Sequence, residues 1–163
     1  QKIADEIKKD ILENGVDKEN GYFVQYYGGK DVDGSLLRIP LTGFMDVNDP
    51  LFQNTLEKIK KDLMFDECLF RRYLNDDGLK GKDNAFLLLS FWYIEDLILM
   101  GKIQDAENLL RKLMGMGNHL NLFSEEVEIN TGELIGNFPQ AITHLGIIRC
   151  IYRLNEAKKK ISE

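Results

Sequence analysis

The chain has 163 residues and a mass of 18.8 kDa, room for one ordinary domain. At 44% hydrophobic and 29% charged residues it can build a packed core. Its 27 acidic against 21 basic residues give a net charge of -6, which argues against nucleic acid or an anionic membrane as partner, since both are held by clustered cations. The one basic run, Lys158 to Lys160, reads as a solvated helix end. Two cysteines, Cys68 and Cys150, make no disulfide framework, so a cytoplasmic setting is expected. The charged opening residues lack the apolar core of a signal peptide. A start at Gln1 rather than Met points to a piece of something longer.

In chain order, Ile3, Ile7 and Ile11 fall at spacing four and predict an amphipathic helix near residues 2 to 14, stopped at Asn14-Gly15. The aromatic stretch from Asn20 to Gly29 is either a short strand or an ordered loop. Asp33 is a candidate N-cap for a short helix ending before Pro40. Asn48-Asp49-Pro50 opens another helix, with Phe52, Leu56, Ile59 and Leu63 as its apolar stripe. Met64 to Lys82 has no rhythm and reads as a loop.

Residues 84 to 101 are apolar on nearly every face despite Glu95 and Asp96. A membrane span would be longer, and a charge at a bilayer centre costs about 3 kcal/mol, so a helix buried in protein is expected. After a break at Gly101-Lys102 comes a helix near 104 to 116, with Ala106, Leu110 and Leu113 inward and Lys112 outward. So short a connection makes the two helices an antiparallel hairpin. Leu120 to Asn137 reads as a second long loop, and Ala141, Leu145, Ile148 and Tyr152 mark a last helix near 138 to 159. The expectation is all-α: one helical segment over residues 1–163, six helices in pairs with two long polar loops.

Two loops carry candidate chemistry. Glu125, Glu126 and Glu128 stand together after Leu122-Phe123-Ser124. Carboxylates so close repel, and one pressed against apolar walls has the raised pKa that suits acid or base work; the alternative is a solvated acidic turn. Phe70-Arg71-Arg72-Tyr73 in the earlier loop offers planar guanidinium forks for hydroxyls or carboxylates and a ring for a sugar face; the alternative is a surface ion pair with Asp76 or Asp77. His119 and His144 are the only histidines, and neither cysteine has ligand spacing to them, so no metal is expected. Asp31-x-Asp33-Gly34 lacks the later ligands of a calcium loop, and capping is the better reading. Phosphate-binding glycine motifs, nucleophile elbows and paired-cysteine motifs are lacking too, and no cofactor is expected.

The order of these motifs carries a resemblance. Ser124-Glu125-Glu126-Val127 followed by the run from Thr131 through Gly136-Asn137-Phe138-Pro139-Gln140 to His144 resembles the closing motif of glycoside hydrolase family 15, the family of glucoamylases, glucodextranases and prokaryotic trehalases. Asp33-Gly34-Ser35-Leu36-Leu37, Pro40-Leu41-Thr42-Gly43-Phe44, Arg72-Tyr73 and Ala85-Phe86-Leu87 running into Phe91-Trp92 match upstream in the same order. The resemblance implies helical hairpins forming the C-terminal half of an (α/α)6 barrel. It also implies an inverting hydrolase of α-linked glucosides, in which a carboxylic acid protonates the leaving oxygen and a carboxylate activates water.

By motif position Glu125 corresponds to that base and Arg72 to the arginine that grips the sugar beside the cleaved bond. Tyr73 and Glu126 line or support the pocket, and His144 falls at a motif position without an assigned role. Two departures stand out: Gly34 where alanine is more usual, and Lys82-Asp83-Asn84 in place of a stretch with glycine and glutamate. The acid matches no residue here. The implied substrates are short α-glucans first and trehalose second, and the 163 residues alone are expected to be inactive. With half a barrel lacking, the helix near 84 to 101 is expected to lose half its neighbours, so that the chain meets the missing half, pairs with a second copy through the apolar face left open, or rearranges to cover it. A non-catalytic carbohydrate- or protein-binding module is the rival class. A toroid sugar isomerase fits less well, because such enzymes rely on several histidines.

Overall fold

The computed structural model describes residues 1–75, 78 and 84–162. Asp76, Asp77, Lys82 and Asp83, named above for an ion pair and for a departure from the motif, lie outside them.

Helix α1 (Lys2–Asn14) forms on its isoleucine stripe, yet Ile3 and Ile7 are 73% and 55% exposed. The aromatic stretch contains a strand: β1 (Val16–Asp17) pairs antiparallel with β2 (Tyr22–Phe23), whose two side chains are buried. The Asp33 carboxylate accepts the Ser35 amide at 2.7 Å and caps a 3-10 turn, Gly34–Leu37. The short helix predicted to stop before Pro40 instead passes into α2 (Arg38–Leu41). Proline is tolerated there because α2 restarts at Arg38, placing Pro40 in a first turn whose amides have no helical acceptor.

Helix α3 (Pro50–Leu63) follows its sequence signals closely. Asp49 accepts the Leu51 amide at 2.9 Å, proline stands at the first position, and Phe52, Leu56, Ile59 and Leu63 are buried on one stripe. The predicted loop from Met64 starts as a hairpin: β3 (Met64–Asp66) pairs with β4 (Leu69–Phe70). Strands this short have no periodicity to read in sequence. The second long loop likewise holds strands, in a three-stranded sheet ordered β5 (Ala85–Phe86), β6 (Glu126–Val127), β7 (Leu134–Ile135).

Helix α4 (Leu87–Leu99) is the core of the structure, with every residue except Trp92 and Leu99 buried. It forms the expected hairpin with α5 (Ile103–Met114), which buries Ala106, Leu110 and Leu113, while Lys112 stays outside and pairs with Asp66 at 2.7 Å. Helix α6 (Ala141–Ser162) packs along α4. Their interface encloses Glu95, fully buried, whose Oε2 accepts from Arg153 at 2.6 Å and Arg149 at 3.1 Å. A buried carboxylate needs such partners to offset its lost hydration.

The apolar face expected on α4 is therefore covered, by α2, α5, α6, the 3-10 turn and β4. Exposed apolar surface lies on α6 instead. Leu145, Ile148 and Tyr152, the stripe that marked this helix in sequence, are 57%, 62% and 66% exposed, while Ile147, Cys150 and Leu154 on the other side are buried. Helix α6 is apolar on two faces, and only one of them meets α4 and α5. Among the described residues no helix is long and apolar enough to cross a membrane.

Candidate active site

The loop that carries Glu125 is tied to the first turn of α4. The Glu125 carbonyl accepts the Leu87 amide at 3.1 Å, and the Glu125 amide donates to the Asn137 carbonyl at 3.0 Å. The Glu125 carboxylate turns to the same asparagine: Oε2 accepts Asn137 Nδ2 at 2.7 Å and the Asn137 amide at 3.3 Å. Glu125 is half-buried, so one carboxylate oxygen is fixed in place and the group is not sealed from solvent.

Space for that arrangement depends on Gly136. It has φ +77°, and a Cβ there would stand 3.1 Å from Glu125 Cβ and 3.2 Å from Oε2. The left-handed backbone and the close approach both require glycine.

Glu126 is one residue on, in β6, opposite Phe86 and Ile135. Successive strand residues face opposite ways, so Val127 is buried while Glu126 is half-buried. Its Oε2 accepts Asn84 Nδ2 at 3.3 Å, and the Ser124 hydroxyl donates to its carbonyl. Glu128 turns to the β6–β7 turn. Hydrogen bonds from the Asn130 side chain, then from Thr131 and the Asn130 amide, hold its carboxyl down at about 2.

The three carboxylates thus do not converge on one point. Strand alternation and the turn send Glu125, Glu126 and Glu128 to separate asparagines. Asn137 and Asn84 were not singled out as site residues; the only signal for Asn137 was its place in the closing motif, and for Asn84 its place in the departing stretch.

The arginine loop is tied to the 3-10 turn that packs on α4. The Arg72 carbonyl accepts the Gly34 amide at 2.8 Å, and Asn75 Nδ2 donates to Gln25 Oε1 at 2.7 Å. Gly34 lies against Leu89 so tightly that a Cβ would come within 2.4 Å of its Cδ1, which gives the first departure from the motif a packing reason. The two arginines part company. Arg71 stacks on Phe65 at 4.3 Å, whereas the exposed Arg72 guanidinium lies 5.4 Å from the ring centre of half-buried Tyr73.

Arg72 and Tyr73 stand side by side, as do Glu125 and Glu126; the Glu125 loop is tied to the Leu87 amide, and the Arg72 loop to Gly34, which packs on the Leu89 side chain. A cavity of about 300 Å³ elsewhere is lined by Ile11, Phe23, Tyr27, Leu36, Arg38 and Phe44 among others, and neither Glu125 nor Arg72 lines it. Among the described residues no three His, Cys, Asp or Glu side chains gather to hold a metal ion.

Comparison with known proteins sets this geometry in context. Residues 1–152 match the family model of the glycosyl hydrolases family 15. A trehalase of Thermoplasma volcanium is 52% identical over 158 residues, covering 97% of this chain and 25% of the relative. A trehalase of Mycobacterium tuberculosis is 40% identical, covering 97% and 23%. The chain therefore spans about a quarter of the length of these curated relatives. Among solved structures, a bacterial glucoamylase complexed with acarbose superposes with a TM-score of 0.83 at 20% identity, over 96% of this chain and 29% of that one. A second, described as a wild-type glycosidase, gives 0.80 at 21% over 94% and 43%. The likeness shows the expected fold, helical hairpins of an (α/α)6 barrel.

Proposed function

The chain belongs to the glycosyl hydrolases family 15, and from that premise we propose that it carries the base side of the active site of an inverting hydrolase acting on trehalose. The trehalose reading is supported by relatives named trehalase at 52%, 51% and 40% identity. Against the order expected from sequence, it places trehalose ahead of short α-glucans.

The observation that carries the reading is the fixing of one Glu125 oxygen by Asn137, 2.7 Å away, on a loop anchored to the start of α4. In the proposed mechanism Glu125, ionised, accepts a proton from a water as that water attacks the anomeric carbon. The C–O bond to the leaving glucose breaks on the opposite face, and a general acid from outside these residues protonates the leaving oxygen. Acid and base carboxyls about 6.5–9.5 Å apart leave room for the water. Arg72, stacked beside Tyr73, grips the hydroxyls of the sugar next to the cleaved bond. A hydrogen bond to a charged group is worth about 1.5–3 kcal/mol, so Arg72→Ala acts mainly on KM. Glu126, tied to Asn84, lines the same edge.

The test is proton NMR of the first turnovers of trehalose by the hydrolase carrying this chain. Inversion converts one α-linked unit to β-glucose and releases the other as α-glucose, so equal amounts of the two anomers appear before mutarotation. Two α-glucose molecules would remove Glu125 from the role of base, and faster cleavage of maltotriose than of trehalose would restore the short-glucan reading.

A further inference from the structure

The loop that carries Glu125 is held from α6 as well as from α4. His144, in the first turns of α6, presents Nε2 to the Phe123 amide at 3.3 Å, and its Nδ1 lies 2.7 Å from the Gln140 carbonyl. An amide N–H only donates and a carbonyl only accepts, so one ring state satisfies both contacts: neutral, with the proton on Nδ1. The imidazole also meets the Phe123 ring edge-on, 5.8 Å between centres. Gln140 returns a bond from its amide to the Phe123 carbonyl at 2.8 Å. Both polar main-chain groups of Phe123 are thereby tied to the start of α6, and Phe123 itself is only 1% exposed. Two residues later stands Glu125.

With both nitrogens committed to main chain, the ring has no lone pair or proton left for a metal or a substrate. We propose that His144 is a positioning residue for Glu125: as the Nδ1–H tautomer it locks the Phe123 amide to α6 and so sets where the Glu125 carboxylate stands. This rests on the reading of Glu125 as the base. Without the imidazole acceptor the buried Phe123 amide loses its partner, and the segment shifts toward another. Misplacement of a reacting group by an ångström costs on the order of 100-fold in rate.

Two substitutions separate the ring's shape from its chemistry. His144→Phe keeps the edge-on contact and removes both nitrogens, whereas His144→Gln places an amide oxygen near the lost Nε2. In the hydrolase carrying this chain, His144→Phe is expected to lower kcat on trehalose roughly 10- to 100-fold with KM changed less than about twofold. His144→Gln is expected to recover most of the loss.

Nitrogen-15 spectra of the wild-type imidazole are expected to show a protonated Nδ1 and a bare Nε2, and amide exchange at Phe123 is expected to quicken in His144→Phe but not in His144→Gln. Wild-type kcat in His144→Phe, equal damage in both variants, or a proton on Nε2 would overturn the proposal. The tautomer and the exchange rates are read without turnover, so they decide the role of His144 even if Glu125→Gln retains full activity and the base reading fails.

Discussion

Gly136→Ala isolates the contact on which the position of Glu125 depends. Its backbone sits at φ +77°, where a side chain costs about 1–2 kcal/mol, offset by about 0.4–1 kcal/mol from the stiffer unfolded chain. The net loss of stability is therefore about 1 kcal/mol. Gly132, in the same β6–β7 hairpin at φ +72°, carries the same backbone cost with nothing within 4 Å of its would-be Cβ.

The difference between the two lies in the new methyl at position 136, which would stand 3.1 Å from Glu125 Cβ and 3.2 Å from Oε2. Ordinary carbon contacts are about 3.5–4.0 Å, so the Glu125 side chain must give by a few tenths of an ångström. At about 100-fold per ångström, that predicts roughly a fourfold loss of kcat. Urea midpoints should fall by similar amounts in Gly136→Ala and Gly132→Ala, while trehalose hydrolysis by the hydrolase carrying the chain should fall only in the first. Equal kcat in the two variants would refute the reasoning.

Two predictions concern the α4–α6 interface. Glu95→Ala leaves Arg149 and Arg153 without their carboxylate, but both are more than a quarter exposed and can turn to water. The loss should lie near the low end for a broken buried pair, about 3 kcal/mol; less than 1 kcal/mol by urea unfolding would show the pair to be idle. Asp96 is pushed up to about 9, mainly by burial and next by the neighbouring Glu95 charge, with Arg153 opposing, and among the described residues neither of its oxygens has a hydrogen-bond partner. Its pKa is higher folded than unfolded, so ionisation favours the unfolded chain: stability is full below about pH 4 and declines as pH rises toward 9. Asp96→Asn should therefore gain on the wild type between pH 4 and pH 8 in paired unfolding curves, and a difference that stays constant across that range would contradict the assignment.

Much of the helical frame was legible because its signals are local. Asp49, Pro50 and the stripe to Leu63 specify α3, and the apolar run from Leu87 specifies a helix that must be enclosed. The two-residue strands were not legible, since pairing such as Phe86 with Glu126 joins segments far apart in sequence and leaves no periodic trace. Nor was the orientation of α6, because Leu145 and Ile147 are equally apolar and only packing against α4 shows which is buried. At the site, the motif brought Glu125 and Arg72 forward. It could not show that three neighbouring glutamates part toward Asn137, Asn84 and Asn130, a result of strand alternation and turn geometry. The same limit applies to His144, whose partners are main-chain atoms and leave no mark on side-chain patterns.

The most direct measurement is the rate of Glu125→Gln in the hydrolase carrying this chain, with folding checked by circular dichroism. The amide keeps the size of the carboxylate and the contact with Asn137 but cannot take a proton from water. The account predicts a fall in kcat on trehalose of about 10²- to 10⁴-fold, the usual worth of a general base, with the helical spectrum unchanged. A variant that folds and still turns over near the wild-type rate would contradict it.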